Sequence, residues 1–219
     1  MCPRWWIRGR GASLIVTLLM LVALAAIALS AAQISLQEEK SARNERDHQI
    51  AMQAAEAALA DAERDIETSS RSFLFAPDKA EGFAAECSSE QDGLYQGLRR
   101  SAGEGDVPVW LSADFTGANA DRCSVLYGHF TGRTFPAGVG PLPVAVPRYV
   151  IELMPHADAA GTTTYFYRIT SVGFGTRGTT QVALQMLYRK AGSSTMPAGR
   201  LSWREISNWK ELRDALAQK

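Results

Sequence analysis

Gly173, Gly175 and Gly178 stand in the spacing Gly-x-Gly-x-x-Gly, which cradles a dinucleotide pyrophosphate when a strand precedes it and a helix follows. The setting here is different. Residues 179–188 are rich in β-branched and aromatic side chains and read as a strand, so phosphate would meet no helix N-terminus and the glycines read as a hairpin turn. His48, His129 and His156 have no second His or Cys at metal-ligand spacing. No Gly-x-Ser-x-Gly elbow occurs. Asp114, Asp121, Asp158 and the stretch 103–106 lack the dense alternating carboxylates of a calcium loop. These residues offer no catalytic set, metal site or cofactor site, and the expectation is that the protein is not an enzyme.

Other residues with chemistry sit at the N-terminus and in the middle of the chain. Arg4, Arg8, Arg10 and Gly11 precede an uncharged apolar run over residues 12–32, and the first charges beyond it are Glu38 and Glu39. The run is about long enough to cross a bilayer core. Basic residues on its N-terminal side place residues 1–11 in the cytoplasm and everything after Ala32 outside it. Ser13, Thr17 and Ser30 can bond their own helix backbone and so do not oppose insertion. Trp5 and Trp6 suit a membrane interface. On this topology Cys87 and Cys123 lie in an oxidising compartment. A bond between them would close a loop of roughly 35 residues, for about 3–4 kcal/mol in the chain-entropy model. The alternative is two buried free thiols. Cys2 lies ahead of the apolar run.

The chain has 219 residues and no formal net charge; without the three arginines before Gly11 it keeps 20 basic against 23 acidic side chains. No basic stripe suggests nucleic acid. The helical pattern that begins at Ala12 continues without Pro or Gly to about Thr68. Residues 37–49 are charged and read as a solvated face. Beyond them Ile50, Ala54, Ala57, Ala58, Leu59, Ala62 and Ile66 recur near helical spacing. Small side chains allow close approach, so this stripe is expected to pack on a sheet. Residues 71–147 are irregular, with short strands expected at 107–111 and 123–130. Residues 148–154, 163–173 and 179–188 read as three antiparallel strands, the last two forming a hairpin. Residues 202–219 read as a short amphipathic helix carrying Trp203 and Trp209, with Ser202 and Glu205 as a capping box.

Three blocks carry a family resemblance: residues 10–16 (Arg-Gly-Ala-Ser-Leu-Ile-Val), residues 51–59, and residues 167–173 with 182–185. Together they resemble a PilX-type minor pilin, within the type IV pilins and type II secretion pseudopilins. The resemblance covers both ends of the chain and leaves 71–147 uncovered. It implies an α+β, type IV pilin-like fold: a long N-terminal helix packed on an antiparallel sheet, with an extended irregular αβ-loop region. The implied organisation is a leader at 1–11, a transmembrane and assembly helix at 12–33, its amphipathic half at 34–70, a variable loop region at 71–147, the sheet at 148–190, and a tail with a short helix at 191–219.

The resemblance also implies processing by a prepilin peptidase between Gly11 and Ala12, with methylation of the new Ala12 amine. In most pilins the fifth mature residue is glutamate, which pairs with the N-terminal amine of a neighbouring subunit; here it is Val16. A subunit without that carboxylate fits the tip of a pilus, with nothing above it. The implied partners are other minor pilins, the major pilin, a large tip adhesin, the peptidase, and the bacterial inner membrane before assembly. The implied location is the inner membrane, with the C-terminal domain periplasmic, and then the pilus tip. Two alternatives remain at this level: the tip pseudopilin of a type II secretion system, and a secreted or membrane-anchored periplasmic binding domain.

Overall fold

A computed structural model describes residues 12–76, 79–86, 93–117, 123–157, 161, 163–191 and 198–218. They form two compact units, Met1–Glu45 and Arg46–Lys219. Helix α1 spans Ala12–Thr68 without interruption and contributes to both. It contains no Gly or Pro, and its second half is dominated by alanine, the best helix former.

The second unit is a head built on the last turns of α1 and a six-stranded sheet. The strands are β1 (Leu98–Arg100), β2 (Val125–Leu126), β3 (Arg148–Ala157), β4 (Thr163–Phe174), β5 (Gln181–Arg189) and β6 (Gly199–Glu205). Their order is β1-β3-β4-β5-β6, with β2 beside β3. β1 runs parallel to β3, and the other pairings are antiparallel. Outside the sheet lie helices α2 (Val109–Ser112) and α3 (Trp209–Ala217) and the 3-10 turns Ser72–Leu74 and Gly93–Tyr95.

Side chains alternate across the strands, and both faces are used. Tyr149, Ile151, Tyr167, Ile169, Leu184 and Met186 pack against Ala51, Ala55, Ala58, Leu59, Ala62 and Ile66 of α1. On the opposite face Val150, Val172, Phe174 and Ala183 pack with Val109, Phe115, Ile206 and Trp209. The alanine stripe lets the helix lie very close to the sheet. At Gly173 of β4 a Cβ would fall 2.1 Å from the Ala51 carbonyl oxygen and 2.4 Å from the Ala55 nitrogen. Two residues earlier, on the same face, the Ser171 hydroxyl donates to the Ala55 carbonyl at 2.8 Å.

Three local expectations are corrected. The strand expected at 107–111 is helix α2, because Pro108 starts a turn there: its carbonyl accepts from Leu111 N at 2.9 Å and Ser112 N at 3.1 Å. The strand expected at 123–130 shrinks to β2, because Gly128 turns the chain with a φ of +78°. The helix expected over 202–219 begins only at Trp209. Ser202 and Glu205 form no capping box: they belong to β6, paired with Leu187 and Leu184. The open edge of β5 supplies hydrogen bonds that outweigh local helix preference. The two tryptophans part accordingly, with Trp209 buried and Trp203 44% exposed.

Candidate assembly interface

From residue 12 to residue 36 the sequence has no charged side chain, and every side chain described in that stretch is exposed. Leu14, Ile15, Leu18, Leu19, Leu21 and Val22 are among them. Two polar side chains among them are satisfied within the helix: Thr17 Oγ1 donates to the Leu14 carbonyl at 3.0 Å, and Ser30 Oγ to that of Ala26 at 2.9 Å. The segment is long and apolar enough to cross a membrane. A helix this apolar on all sides requires lipid or other apolar helices around it. Val16 is part of the exposed surface, 51% accessible. Ala12 is the first residue of α1, and Gly11 lies outside the described residues. Past the apolar stretch the surface becomes ionic, with Arg43 donating to Glu39 one turn earlier at 2.5 Å.

Within the head, α1 holds the surrounding loops through three buried aspartates, which sequence reasoning missed. Asp47 accepts from Thr176 N and Oγ1, each at 2.6 Å, and from Thr180 Oγ1 at 2.5 Å. Burial pushes its pKa up, but these hydrogen bonds and the charge of Arg177 prevail and leave the carboxyl below its ordinary value. Asp61 accepts from Gly128 N at 2.7 Å and from the Thr131 hydroxyl. Asp65 forms a fully buried fork with Arg71, whose Nε lies 2.9 Å from Oδ1. Arg71 also donates to the carbonyls of Leu94 and Gln96, at 3.0 and 2.6 Å, and lies 3.6 Å from the Phe130 ring centroid. The Tyr149 hydroxyl donates to Asp65 at 2.7 Å. Burial, and then the Asp65 charge, hold that phenol protonated well above its usual range. Donors and acceptors in this cluster are matched, which a buried ion pair requires. The missed signal was Asp61 and Asp65 at i, i+4 within the alanine stripe, on the face that the sequence assigns to the sheet.

A second buried pair sits on the other face of the sheet. Glu152 is paired across strands with Arg168, whose Nε and Nη2 donate at 3.0 and 2.5 Å. Burial raises the Glu152 pKa, while the hydrogen bond and charge of Arg168 oppose the rise.

The remaining sequence candidates find ordinary places. The glycine motif turns from β4 to β5 as a hairpin: Gly173 meets the α1 backbone, and a Cβ at Gly175 would fall 2.7 Å from the Asp47 carboxylate. His48, expected on a solvated face, is partly exposed and lies 3.6 Å from Glu205. His129 and His156 pack against the rings of Phe130 and Phe166. Among the described residues no group of His, Cys, Asp and Glu could hold a metal. Cys123 is buried and partnered, and Cys87 lies outside the described residues.

An exposed apolar helical stretch, continuing into a helix that forms the spine of an antiparallel head, defines a type IV pilin-like protein. The chain matches the PilX N-terminal family model over residues 10–60 and the type IV pilus assembly protein PilX C-terminal model over residues 87–190, and it belongs to the PilX family. No curated protein and no solved structure matches it. Membership makes it a minor pilin acting in type IV pilus assembly.

Proposed function

We propose that this minor pilin primes pilus assembly and sits at or near the pilus tip, in a complex with other minor pilins and above the major pilin. The observation that carries the reading is the uncharged, exposed stretch 12–36, which has Val16 at the place where most pilins have glutamate. A carboxylate there would cost about 2.5–3.5 kcal/mol in an apolar medium unless a neighbour's amine paired with it. Val16 incurs no such cost and needs no neighbour above it. Before assembly the stretch spans the bacterial inner membrane with residues 1–11 cytoplasmic and the head periplasmic. A prepilin peptidase cuts between Gly11 and Ala12, and the Ala12 amine is methylated. Cys87 and Cys123 form a disulfide in the periplasm, tying down the irregular region. A large tip adhesin is a further partner.

Family membership favours the pilus over a type II secretion system. So does the region 71–147, whose described residues form short turns, one four-residue helix and short strands. Three measurements test the proposal. Intact mass with and without a prepilin peptidase should show loss of residues 1–11 and gain of one methyl group only when the peptidase is present. Gly11→Ala should leave the leader in place and abolish piliation. Gold labelling of an epitope-tagged chain should mark one end of each pilus; labels spread along the shaft would remove the tip assignment.

A further inference from the structure

Strand β6 is the last in the sheet order, and among the described residues nothing pairs with its outer edge. The Ile206 nitrogen donates to the Ala183 carbonyl opposite it at 2.9 Å. In an antiparallel ladder every second residue turns its backbone groups inward. Arg204, opposite Gln185, is therefore inward, while Trp203 and Glu205 direct their N–H and C=O groups to the open side. The register shift of this pairing lies at Leu187/Tyr188, and the ladder is regular from Ser202 to Glu205. Natural edges are blunted by charge, proline or a bulge. This strand carries Arg200, Arg204 and Glu205, but between these charges Leu201 and Trp203 stand exposed on the edge, 41% and 44% accessible.

A hollow opens on each face of this edge, and Trp203 lines both. On the helix side a hollow of about 580 Å³ has Ala57, Ala60 and Trp203 in its wall, with Gln53, Glu56 and Arg200 also lining it. On the opposite side one of about 320 Å³ is bounded by Met154, Leu187 and two arginines, Arg168 and Arg204. Both arginines are held in place: Arg168 by Glu152, and Arg204 by two bonds to Gln185 Oε1 at 2.7 and 3.1 Å. Gln185 is itself fixed by its bond to Thr170 at 3.0 Å. Among the described residues no carboxylate pairs with Arg204, whose guanidinium is held by the neutral Gln185 amide, so this hollow favours negative charge.

We propose that the outer edge of β6 receives an extended strand from a neighbouring minor pilin. Its alternate side chains enter the two hollows, a small apolar residue over Ala57 and Ala60 and an acidic residue beside Arg168 and Arg204. Main-chain hydrogen bonds to Trp203 and Glu205 give affinity, and the hollows give selectivity. The inference rests on the proposed complex with other minor pilins.

The test is hydrogen exchange on the full chain in detergent, alone and co-purified with the other minor pilins of the same cell. In the complex, exchange of the peptide covering residues 199–206 should slow by about tenfold or more. Glu205→Pro removes an outward N–H while leaving the ladder to β5 intact, and should abolish that protection; Glu205→Ala should retain it. Arg204→Glu should weaken the complex, and Arg177→Glu, far along the hairpin turn, should not. A complex that forms with residues 199–206 unprotected overturns the strand addition but leaves the minor-pilin assignment standing. Protection of the same peptide in the chain alone, with dimers in solution, would make a second copy the occupant and overturn the proposed partner. Failure to form any complex overturns both readings.

Discussion

Asp65 and Arg71 show how much of the head depends on single side chains. Both are fully buried and face each other, with Tyr149 completing the cluster. Replacing Asp65 with Asn leaves the guanidinium without its counter-charge and should cost about 3–5 kcal/mol, read as a lower denaturant midpoint of the full chain in detergent. Asp65→Leu combined with Arg71→Met should recover most of the loss, since an apolar pair of similar volume replaces a buried ion pair at little cost. Asp47 gives a pH signature. Its folded pKa lies below the ordinary 3.8, so the stability it contributes is complete above that value and is lost as pH falls through the folded pKa. Stability measured down into the acid range should lose this component of its slope in Asp47→Asn. None of these roles was legible in the sequence. An acidic residue on a charged helix reads as solvated, and only the placement of Gly128, Thr131, Thr176 and Thr180 around the helix shows otherwise.

Elements with a strong period were readable and short ones were not. α1 ends at Thr68, where its pattern fails, and β3, β4 and β5 lie where alternation predicts them. β1 and β6 escaped because each depends on an edge that another strand provides: Leu98–Arg100 on β3, and Gly199–Glu205 on β5. A local window over Trp203, Ile206, Trp209, Leu212 and Leu216 sees helix spacing, yet the first of these sits in a strand. The alanine stripe was legible, but its depth of contact was not. That depth depends on Gly173. Gly173→Ala places a methyl group against backbone atoms of α1, which have no rotamer to yield. It should cost about 1–3 kcal/mol or more, with a matching fall in thermal midpoint. Gly178→Ala, in open space on the same turn, should be close to neutral.

At the scale of the whole molecule the two units have different solvents. Residues 13–36 expose their side chains throughout, most of them apolar, whereas Arg46–Lys219 contains both buried clusters. A chain starting at Arg46 keeps Asp47, Asp61 and Asp65 together with their partners. It should be soluble without detergent and unfold in one cooperative step, at the denaturant midpoint of the full chain's head. Aggregation of that fragment would show that the head needs residues 12–45 to fold. The order in which the chain is made adds a further consequence. The spine of the head emerges first and its contacts last: the Ser171 hydroxyl that bonds Ala55 follows it by 116 residues, and Lys190 donates to the Ile66 carbonyl from 124 residues away. At roughly 5–20 residues per second of synthesis, the face carrying Ala55, Asp61 and Asp65 waits for many seconds with nothing to bury against. A nascent chain stopped before β5 has no smaller domain to settle into, so the head folds only when almost the whole polypeptide has left the ribosome.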